Sequence, residues 1–138
     1  MVQRYEQCST IVNDKRIVLS ENKSKIIFIN NNQKPIERVV VDGCAVRDGI
    51  KCDYMLICED DFEHYIELKG SDIDHAINQL TTTFRRLSKC FRTHKKEAYI
   101  ISTRCPLTTT KIQNEKLKFK KNYNSSLTIK NLICEIVI

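Results

Sequence analysis

The chain has 138 residues, of which 41% are apolar and 29% charged, as in ordinary folded domains. With only three Gly and two Pro it is neither collagen-like nor a Pro/Gly-rich disordered chain, and its short apolar runs predict no membrane span. Lys and Arg number 23 against 17 Asp and Glu, and the net charge of +6 suits a polyanionic partner without establishing one. We expect one domain over residues 1–138.

Seven cysteines occur without a C-x-x-C pair, so the spacing gives little indication of structural zinc. The N-terminal sequence MVQRYEQCST lacks the apolar segment of a secretion signal, which favours a cytoplasmic protein with reduced thiols. We therefore expect buried, unreactive cysteines. His64, His75 and His94 are not at metal-ligand spacing, and we expect them to be ordinary polar surface residues.

The first part of the chain is predicted to be β structure. Runs rich in β-branched residues cover 16–20, 25–29 and 36–41, with polar turn residues between them. The segments 52–58 and 63–69 then form a predicted hairpin.

The register of this hairpin follows from its polar link. With the turn centred on Asp61, Asp53 faces Lys69 and Met55 faces Glu67, so three ionisable groups share one face of two paired strands. The other face carries an apolar layer made of Cys52, Tyr54, Leu56, Ile66 and Leu68.

A helix is predicted over about 72–91. The sequence from Ser71 to Asp74 resembles a capping box, and apolar residues then recur at helical spacing, although Thr81–Thr83 lowers the local helix propensity. The apolar stripe consists of Ile73, Ala76, Ile77, Leu80, Phe84, Leu87 and Phe91. Residues 96–103 follow as a strand, predicted to run parallel to an earlier one because a crossover helix precedes it.

The last part of the chain is less distinctive. Leu117 and Phe119 alternate with lysines, which favours a strand with one basic face, and residues 127–138 are compatible with a strand or a short helix. Five lysines form a basic strip here, which either binds nucleic acid or is a solvated face: Lys111, Lys116, Lys118, Lys120 and Lys121.

Asp53, Glu67 and Lys69 form the candidate catalytic group. Two carboxylates on adjacent strands can converge on one Mg²⁺, which usually takes one or two protein carboxylates, and the Leu68 carbonyl is a further candidate ligand. Lys69 projects from the same face as Glu67, where an ammonium can orient or help deprotonate a water and offset phosphate charge. The alternative is an exposed polar strand face with an Asp–Lys cross-strand pair.

These residues resemble the PD-(D/E)xK nuclease superfamily. The resemblance covers 49 to about 103: Gly49-Ile-Lys-Cys-Asp53, thirteen residues, Glu67-Leu-Lys69, and a helix that carries Gln79. It implies an α/β fold of the restriction-endonuclease type, with a mixed central sheet, a crossover helix and a tendency to three αβα layers. It also implies metal binding by Asp53 and Glu67 and catalysis by Lys69, and it places Gln79 where RecB-like and archaeal resolvase-like branches carry a helical glutamine near the site.

The sequence departs from this family pattern in two places. Cys52 replaces the proline of the motif name, and no clear N-terminal helix exists to carry the further acidic residue of many members. Glu21 and Glu37 are candidates for that acid by position alone, so a second metal site is left open.

A basic strip follows the hairpin on the predicted helix and just after it. It would contact nucleic-acid phosphates and add salt-dependent affinity without reading sequence, unless it is a solvated helix face. It consists of Arg85, Arg86, Lys89, Arg92, Lys95 and Lys96.

The expected function is that of a Mg²⁺-dependent endonuclease, with Mn²⁺ able to substitute, that hydrolyses phosphodiester bonds in DNA rather than RNA. Because so small a domain has little surface for target selection, we expect a homodimer or a larger assembly. Two alternatives stay open: a non-catalytic nucleic-acid-binding module of the same fold, and a regulatory subunit whose basic strips meet an acidic protein.

Overall fold

The computed structural model describes residues 1–68, 72–104 and 108–138. Within these residues the chain forms nine strands and two α-helices, preceded by a 3-10 turn over Glu6–Cys8. The strands are β1 (Ser9–Val12), β2 (Arg16–Glu21), β3 (Ser24–Ile29), β4 (Ile36–Val40), β5 (Tyr54–Cys58), β6 (Glu63–Leu68), β7 (Lys96–Ser102), β8 (Ser125–Asn131) and β9 (Ile133–Val137). The helices are α1 (Ile73–Leu87) and α2 (Thr109–Tyr123).

Two sheets account for the strands of the described residues. The main sheet has the order β1-β4-β5-β6-β7-β8, antiparallel from β1 to β6 and parallel from β6 to β8. The parallel pairs follow from the connections, because α1 joins β6 to β7 and α2 joins β7 to β8. The predicted parallel return of β7 is confirmed. The small sheet has the order β2-β3-β9.

The main sheet is covered by different structures on its two faces. One core holds the apolar side of α1, Phe119 of α2 and main-sheet residues such as Met55 and Tyr65. The other core packs Leu19 and Phe28 of the small sheet against main-sheet residues such as Tyr99. The fold is α/β with a mixed sheet, as expected. The predicted αβα layering is wrong, because strands and not helices cover the second face of the main sheet. The alternating, β-branched segments 16–21 and 133–137 belong to that second, small sheet.

Helix α1 carries the predicted apolar stripe but is shorter than 72–91. The Asp72 side chain accepts a hydrogen bond from the His75 amide at 3.1 Å and caps the helix, whereas Ser71 of the predicted capping box lies outside the described residues. The helix ends at Leu87 because Ser88 is extended and its hydroxyl donates to buried Glu63 at 2.6 Å.

The segment predicted as a basic strand is helix α2. The Thr108 side chain caps its start and Asn124, in the left-handed conformation, ends it. Phe119 is buried against Phe84, while Leu117 is 70% exposed. The prediction failed because the alternation of lysine and apolar residues over 116–120 is too short to separate the two periodicities.

The tail after α2 forms two strands. β8 joins the main sheet, Leu132 takes a left-handed backbone conformation, and β9 continues in the small sheet parallel to β3. Of the two alternatives left open for 127–138, a strand or a short helix, the structure has the strand, in two segments. Neither helix of the described residues has the length and apolarity needed to cross a bilayer.

The hairpin β5–β6 forms as predicted, but its register differs by two residues. The Cys58 carbonyl accepts from the Asp61 amide at 2.9 Å, and Asp61 is left-handed, so the turn is tighter than one centred on Asp61. Met55 therefore faces Tyr65 rather than Glu67. A shift of two residues leaves each side chain on the same face of its strand, so most of the predicted apolar layer is confirmed. Cys52 is the exception, because it packs in the core that contains α1.

Two predictions about cysteine and histidine are wrong in part. Cys8 and Cys44 form a disulfide, and Cys90 is exposed, although Cys52 and Cys134 are buried thiols. His64 is buried rather than on the surface, because its strand position points it into an aromatic cluster with Phe28, Phe62 and Tyr99. Cys105 lies outside the described residues.

The helical assignment of α2 can be tested by matched truncations. Phe119→Ala is expected to lower the free energy of unfolding by about 3–5 kcal/mol, because it empties a buried aromatic site. Leu117→Ala should change it by less than about 0.5 kcal/mol, since that side chain is largely exposed. Urea unfolding measures both values, and similar losses in the two variants would instead support a strand with both side chains inward.

Candidate functional site

Backbone contacts fix Asp53 where three strands of the main sheet meet. Its amide donates to the Ile66 carbonyl at 3.1 Å, and its own carbonyl accepts from the Val41 and Asp42 amides at 3.1 and 3.3 Å. The Asp53 Oδ2 atom accepts from the Leu68 amide at 2.8 Å. The carboxylate thus accepts a hydrogen bond from the last residue of β6, and backbone hydrogen bonds with β6 and with the segment after β4 hold Asp53 in place.

Helix α1 holds the residues that precede Asp53. The Cys52 amide donates to the buried Thr83 hydroxyl at 2.9 Å, and that hydroxyl donates to the Gln79 carbonyl at 2.7 Å. Gln79 Nε2 donates to the Lys51 carbonyl at 3.1 Å. Gln79, predicted as a site residue, therefore positions the backbone two residues before Asp53, and Thr83 is a positioning residue that the sequence analysis missed.

Two further carboxyl groups converge on Asp53. One step beyond the Tyr54–Ile66 pair, the register sets Asp53 across from Glu67, and the side chains of these two acids interact. Glu21, the last residue of β2, also interacts with the Asp53 carboxyl group. Asp53 is 6% exposed and Glu67 4%. The site is thus a cluster of three acids where the main and small sheets end together.

Burial of Asp53 has an electrostatic consequence. Loss of solvent raises the pKa of Asp53 to about 6, the hydrogen bond from the Leu68 amide lowers it in part, and the neighbouring Glu21 charge raises it further. A cation close to such a buried carboxyl group would stabilise its ionised form, which burial and the neighbouring acids disfavour. Lys69, the predicted catalytic lysine, lies outside the described residues.

The donor chemistry of the cluster fits a hard divalent cation. A cavity of about 80 Å³ lies against Glu21, Asp42 and Asp53, enough for two or three waters at about 30 Å³ each. Mg²⁺ needs only one or two carboxylates and keeps several waters. Across residues 1–68, 72–104 and 108–138, however, no group of three or more Asp, Glu, His or Cys side chains is arranged to hold a metal ion. Metal binding by Asp53, Glu67 and the Leu68 carbonyl stays a prediction.

Glu21 and Glu37, the two candidates for the additional acid, have different surroundings in the structure. Glu37 is fully buried, and its carboxylate accepts from the Arg4 and Tyr5 amides and from the Ser9 hydroxyl at 2.7–2.8 Å, so it fixes the N-terminal segment. Glu21 instead belongs to the Asp53 cluster. It reaches the site from a strand of the small sheet, not from a helix, which the linear sequence does not indicate.

Two lysines of the predicted basic strip, Lys89 and Lys95, lie away from the acidic cluster. Lys89 forms an ion pair with Asp61 at 2.8 Å, and Lys95 lies over the Phe62 ring. Both contacts are at the turn of the β5–β6 hairpin, whereas Asp53 precedes β5, a strand of five residues and thus about 17 Å long. These lysines are therefore at the far end of the hairpin.

The other members of the strip have local contacts. Arg85 donates to the Tyr123 hydroxyl at 3.1 Å, Arg86 donates to the Asp48 carbonyl at 3.0 Å, and Arg92 lies over the Phe91 ring.

Lys96 has to be removed from the predicted strip. It is 1% exposed, and its ammonium group donates to the carbonyls of Phe91, His94 and Tyr123 at 2.5–3.0 Å. Lys96 therefore joins the chain after α1 to the end of α2 and is not available to phosphates.

Other exposed basic residues lie at the end of the sheets that carries the cluster of Glu21, Asp53 and Glu67. Lys23 lies in the turn next to Glu21. Lys130 pairs with Ile101, which pairs with Leu68, so Lys130 lies two strands, or about 10 Å, from Leu68. Arg104 follows the end of β7 at the same edge. No local sequence pattern indicates these residues, because only the sheet order brings them together.

Comparison of the chain with models of protein families, with curated proteins and with solved structures finds no match.

Thr83 provides a test of how Asp53 is positioned. Thr83→Val keeps the side-chain shape but leaves the buried Cys52 amide without its acceptor, so we expect a loss of about 1–3 kcal/mol in the free energy of unfolding. Thr82→Val is the matched control, because its hydroxyl makes only an exposed 3.4 Å contact with Asn78. Equal effects of the two substitutions in urea unfolding would contradict the assigned role.

The raised pKa of Asp53 predicts a pH-dependent stability. The folded-state pKa of about 6 exceeds the ordinary 3.8, so the contribution of protonated Asp53 is complete below the lower value and is lost as pH rises through the higher one. Asp53→Asn keeps an oxygen for the Leu68 amide without the charge. At about pH 8 it should therefore exceed the native chain in stability by about 1–3 kcal/mol, with the difference vanishing below about pH 4.

Denaturant unfolding across this pH range measures the difference. Asp14→Asn, which removes a carboxylate at an exposed position, serves as the control. A less stable Asp53→Asn protein at the alkaline end would contradict the described electrostatics of the cluster.

Proposed function

We propose that the chain is a Mg²⁺-dependent endonuclease that hydrolyses phosphodiester bonds of DNA, with Mn²⁺ able to replace Mg²⁺. The observation that supports this most is the convergence of Glu21, Asp53 and Glu67 at one end of the hairpin. The hairpin, the crossover helix α1 and the parallel strand β7 follow in the order that the PD-(D/E)xK resemblance implies. We infer a restriction-endonuclease-like fold in which the small sheet supplies the additional acid.

Each residue of the site has a proposed part in this chemistry. Asp53 and Glu67 would hold the cation, with Glu21 beside them, and the Leu68 amide keeps the Asp53 carboxylate oriented. When bound, a metal ion would supply Lewis acidity at the phosphate. Lys69 orients or deprotonates the attacking water and offsets the charge that grows on the phosphate.

The position of the cluster also suits a large substrate. It lies at the carboxyl ends of the parallel strands β6 to β8, the edge at which open α/β sheets commonly bind ligands. We propose that Lys23, Arg104 and Lys130 contact phosphates there, since nonspecific phosphate contacts need only exposed cations. The association of two chains, which would bring two sites to one duplex, is part of the proposal.

A plasmid cleavage assay with Mg²⁺ or Mn²⁺ tests the proposal. Asp53→Asn and Glu67→Gln are each expected to lower the cleavage rate by a factor on the order of 10² to 10³, because both remove a charged ligand without changing side-chain shape. Lys69→Met should have a similar effect, and a chelator should abolish cleavage. The matched control is Glu135→Gln, an exposed carboxylate on β9, which should cleave at the native rate.

The alternatives predict different results. A non-catalytic module would bind DNA with an affinity that falls as salt rises but would not cleave it with either metal. A regulatory subunit for an acidic protein would do neither. Cleavage that persists in Asp53→Asn would contradict the proposed site even if DNA is cut.

A further inference from the structure

A second cavity lies at the opposite end of the two sheets from the acidic cluster. Its volume is about 600 Å³, within the range of about 300–1,000 Å³ typical of small-molecule sites. It opens between the turn of the β5–β6 hairpin, the start of β7, the segment after β3 and the end of β9. We refer to it as the inter-sheet cleft, and the proposed nuclease does not use it.

His64 presents a hydrogen-bond acceptor to this cleft. The Tyr99 hydroxyl donates its one proton to Glu97, so its oxygen accepts from His64 Nδ1–H at 3.0 Å. The proton on Nδ1 leaves Nε2 as a bare acceptor, and within the described residues Nε2 has no hydrogen-bond partner. Burial lowers the pKa of His64 to about 4, which keeps the ring neutral at physiological pH.

The charged side chains of the cleft are mainly anionic. Three carboxylates, those of Glu59, Asp60 and Glu97, line it together with Lys34, so among the described lining residues the carboxylates outnumber the one cationic side chain. This sign is opposite to the net charge of +6 of the whole chain. The cleft is thus a local site of negative potential and acceptor groups.

The cleft also has an apolar side. Ile36, Phe62 and Val137 line it, and the Phe62 ring lies 4.9 Å from the His64 ring, centroid to centroid. A ligand that suits these walls has a hydrocarbon stem and a positively charged, donor-rich head. Cys58 also lines the cleft, but burial raises the pKa of its thiol to about 11, so with a neutral His64 it does not form a reactive thiolate pair.

From this geometry we propose that the inter-sheet cleft binds a small organic cation, an alkylammonium or alkylguanidinium. Its head donates hydrogen bonds to His64 Nε2 and to the Glu97 carboxylate, while its stem lies against Ile36 and Phe62. Asp60 adds charge attraction at the rim. The site is separate from Asp53, so the proposal does not depend on nuclease activity.

Titration of the labelled full chain with butylguanidinium and with butylurea, its neutral isostere, tests the proposal. We expect saturable shifts of the His64 ring nitrogen resonances with butylguanidinium, with a dissociation constant on the order of 1 mM for so small a ligand. Butylurea should bind at least about tenfold more weakly, since it lacks the charge. The nitrogen shifts of the free protein should also show Nδ1 protonated and Nε2 bare.

Substitutions distinguish binding in the inter-sheet cleft from nonspecific charge attraction between the ligand and the protein surface. Glu97→Gln keeps an acceptor for Tyr99 without the charge and should weaken butylguanidinium binding about 5- to 10-fold, and His64→Phe should do so while preserving the aromatic cluster. Glu135→Gln, outside the cleft, should bind as the native chain does. Equal binding of butylurea, shifts that do not saturate, or native affinity in both cleft variants would overturn the proposal.

Discussion

The hydrogen bond from the Leu68 amide to the Asp53 carboxylate is the contact on which the rest of the candidate site depends. It joins a buried acid to the last residue of β6, immediately after Glu67, at 2.8 Å. Because Thr83 and Gln79 of α1 fix the two residues before Asp53, the strand, the helix and the acid form one unit. A substitution in the helix can therefore displace the carboxylate without touching it.

The convergence of three acids at this point lowers the stability of the folded chain. A buried Asp53 with a pKa of about 6 is less stable in its charged form than a solvated one, and Glu21 increases that cost. Clusters that lower stability while the surrounding backbone holds them in place are characteristic of functional sites. By contrast, Glu37 and Glu63 are fully buried too, but amide and hydroxyl donors surround them and join the N-terminal segment and the end of α1 to the main sheet.

Local patterns in the sequence were enough to predict most of the central elements. Helix α1, the hairpin and β7 were found because their apolar periodicity and turn residues are local signals. The proximity of Asp53 and Glu67 could be predicted because both residues lie within one hairpin. Glu21 was a candidate by position alone, and its approach to Asp53, like the burial of His64, depends on how the small sheet packs on the main sheet. Helix α2 was mistaken for a strand because one buried side chain, Phe119, gives little periodicity.

The titration of the Asp53 carboxyl carbon, followed by NMR, tests most directly whether the three acids share one site. We expect a midpoint near the pKa of about 6, a lower midpoint in Glu21→Gln, and a further decrease when Mg²⁺ is added. A midpoint near the ordinary 3.8 that neither the Glu21 substitution nor Mg²⁺ changes would show that the carboxyl groups do not interact, and the candidate site would have to be abandoned.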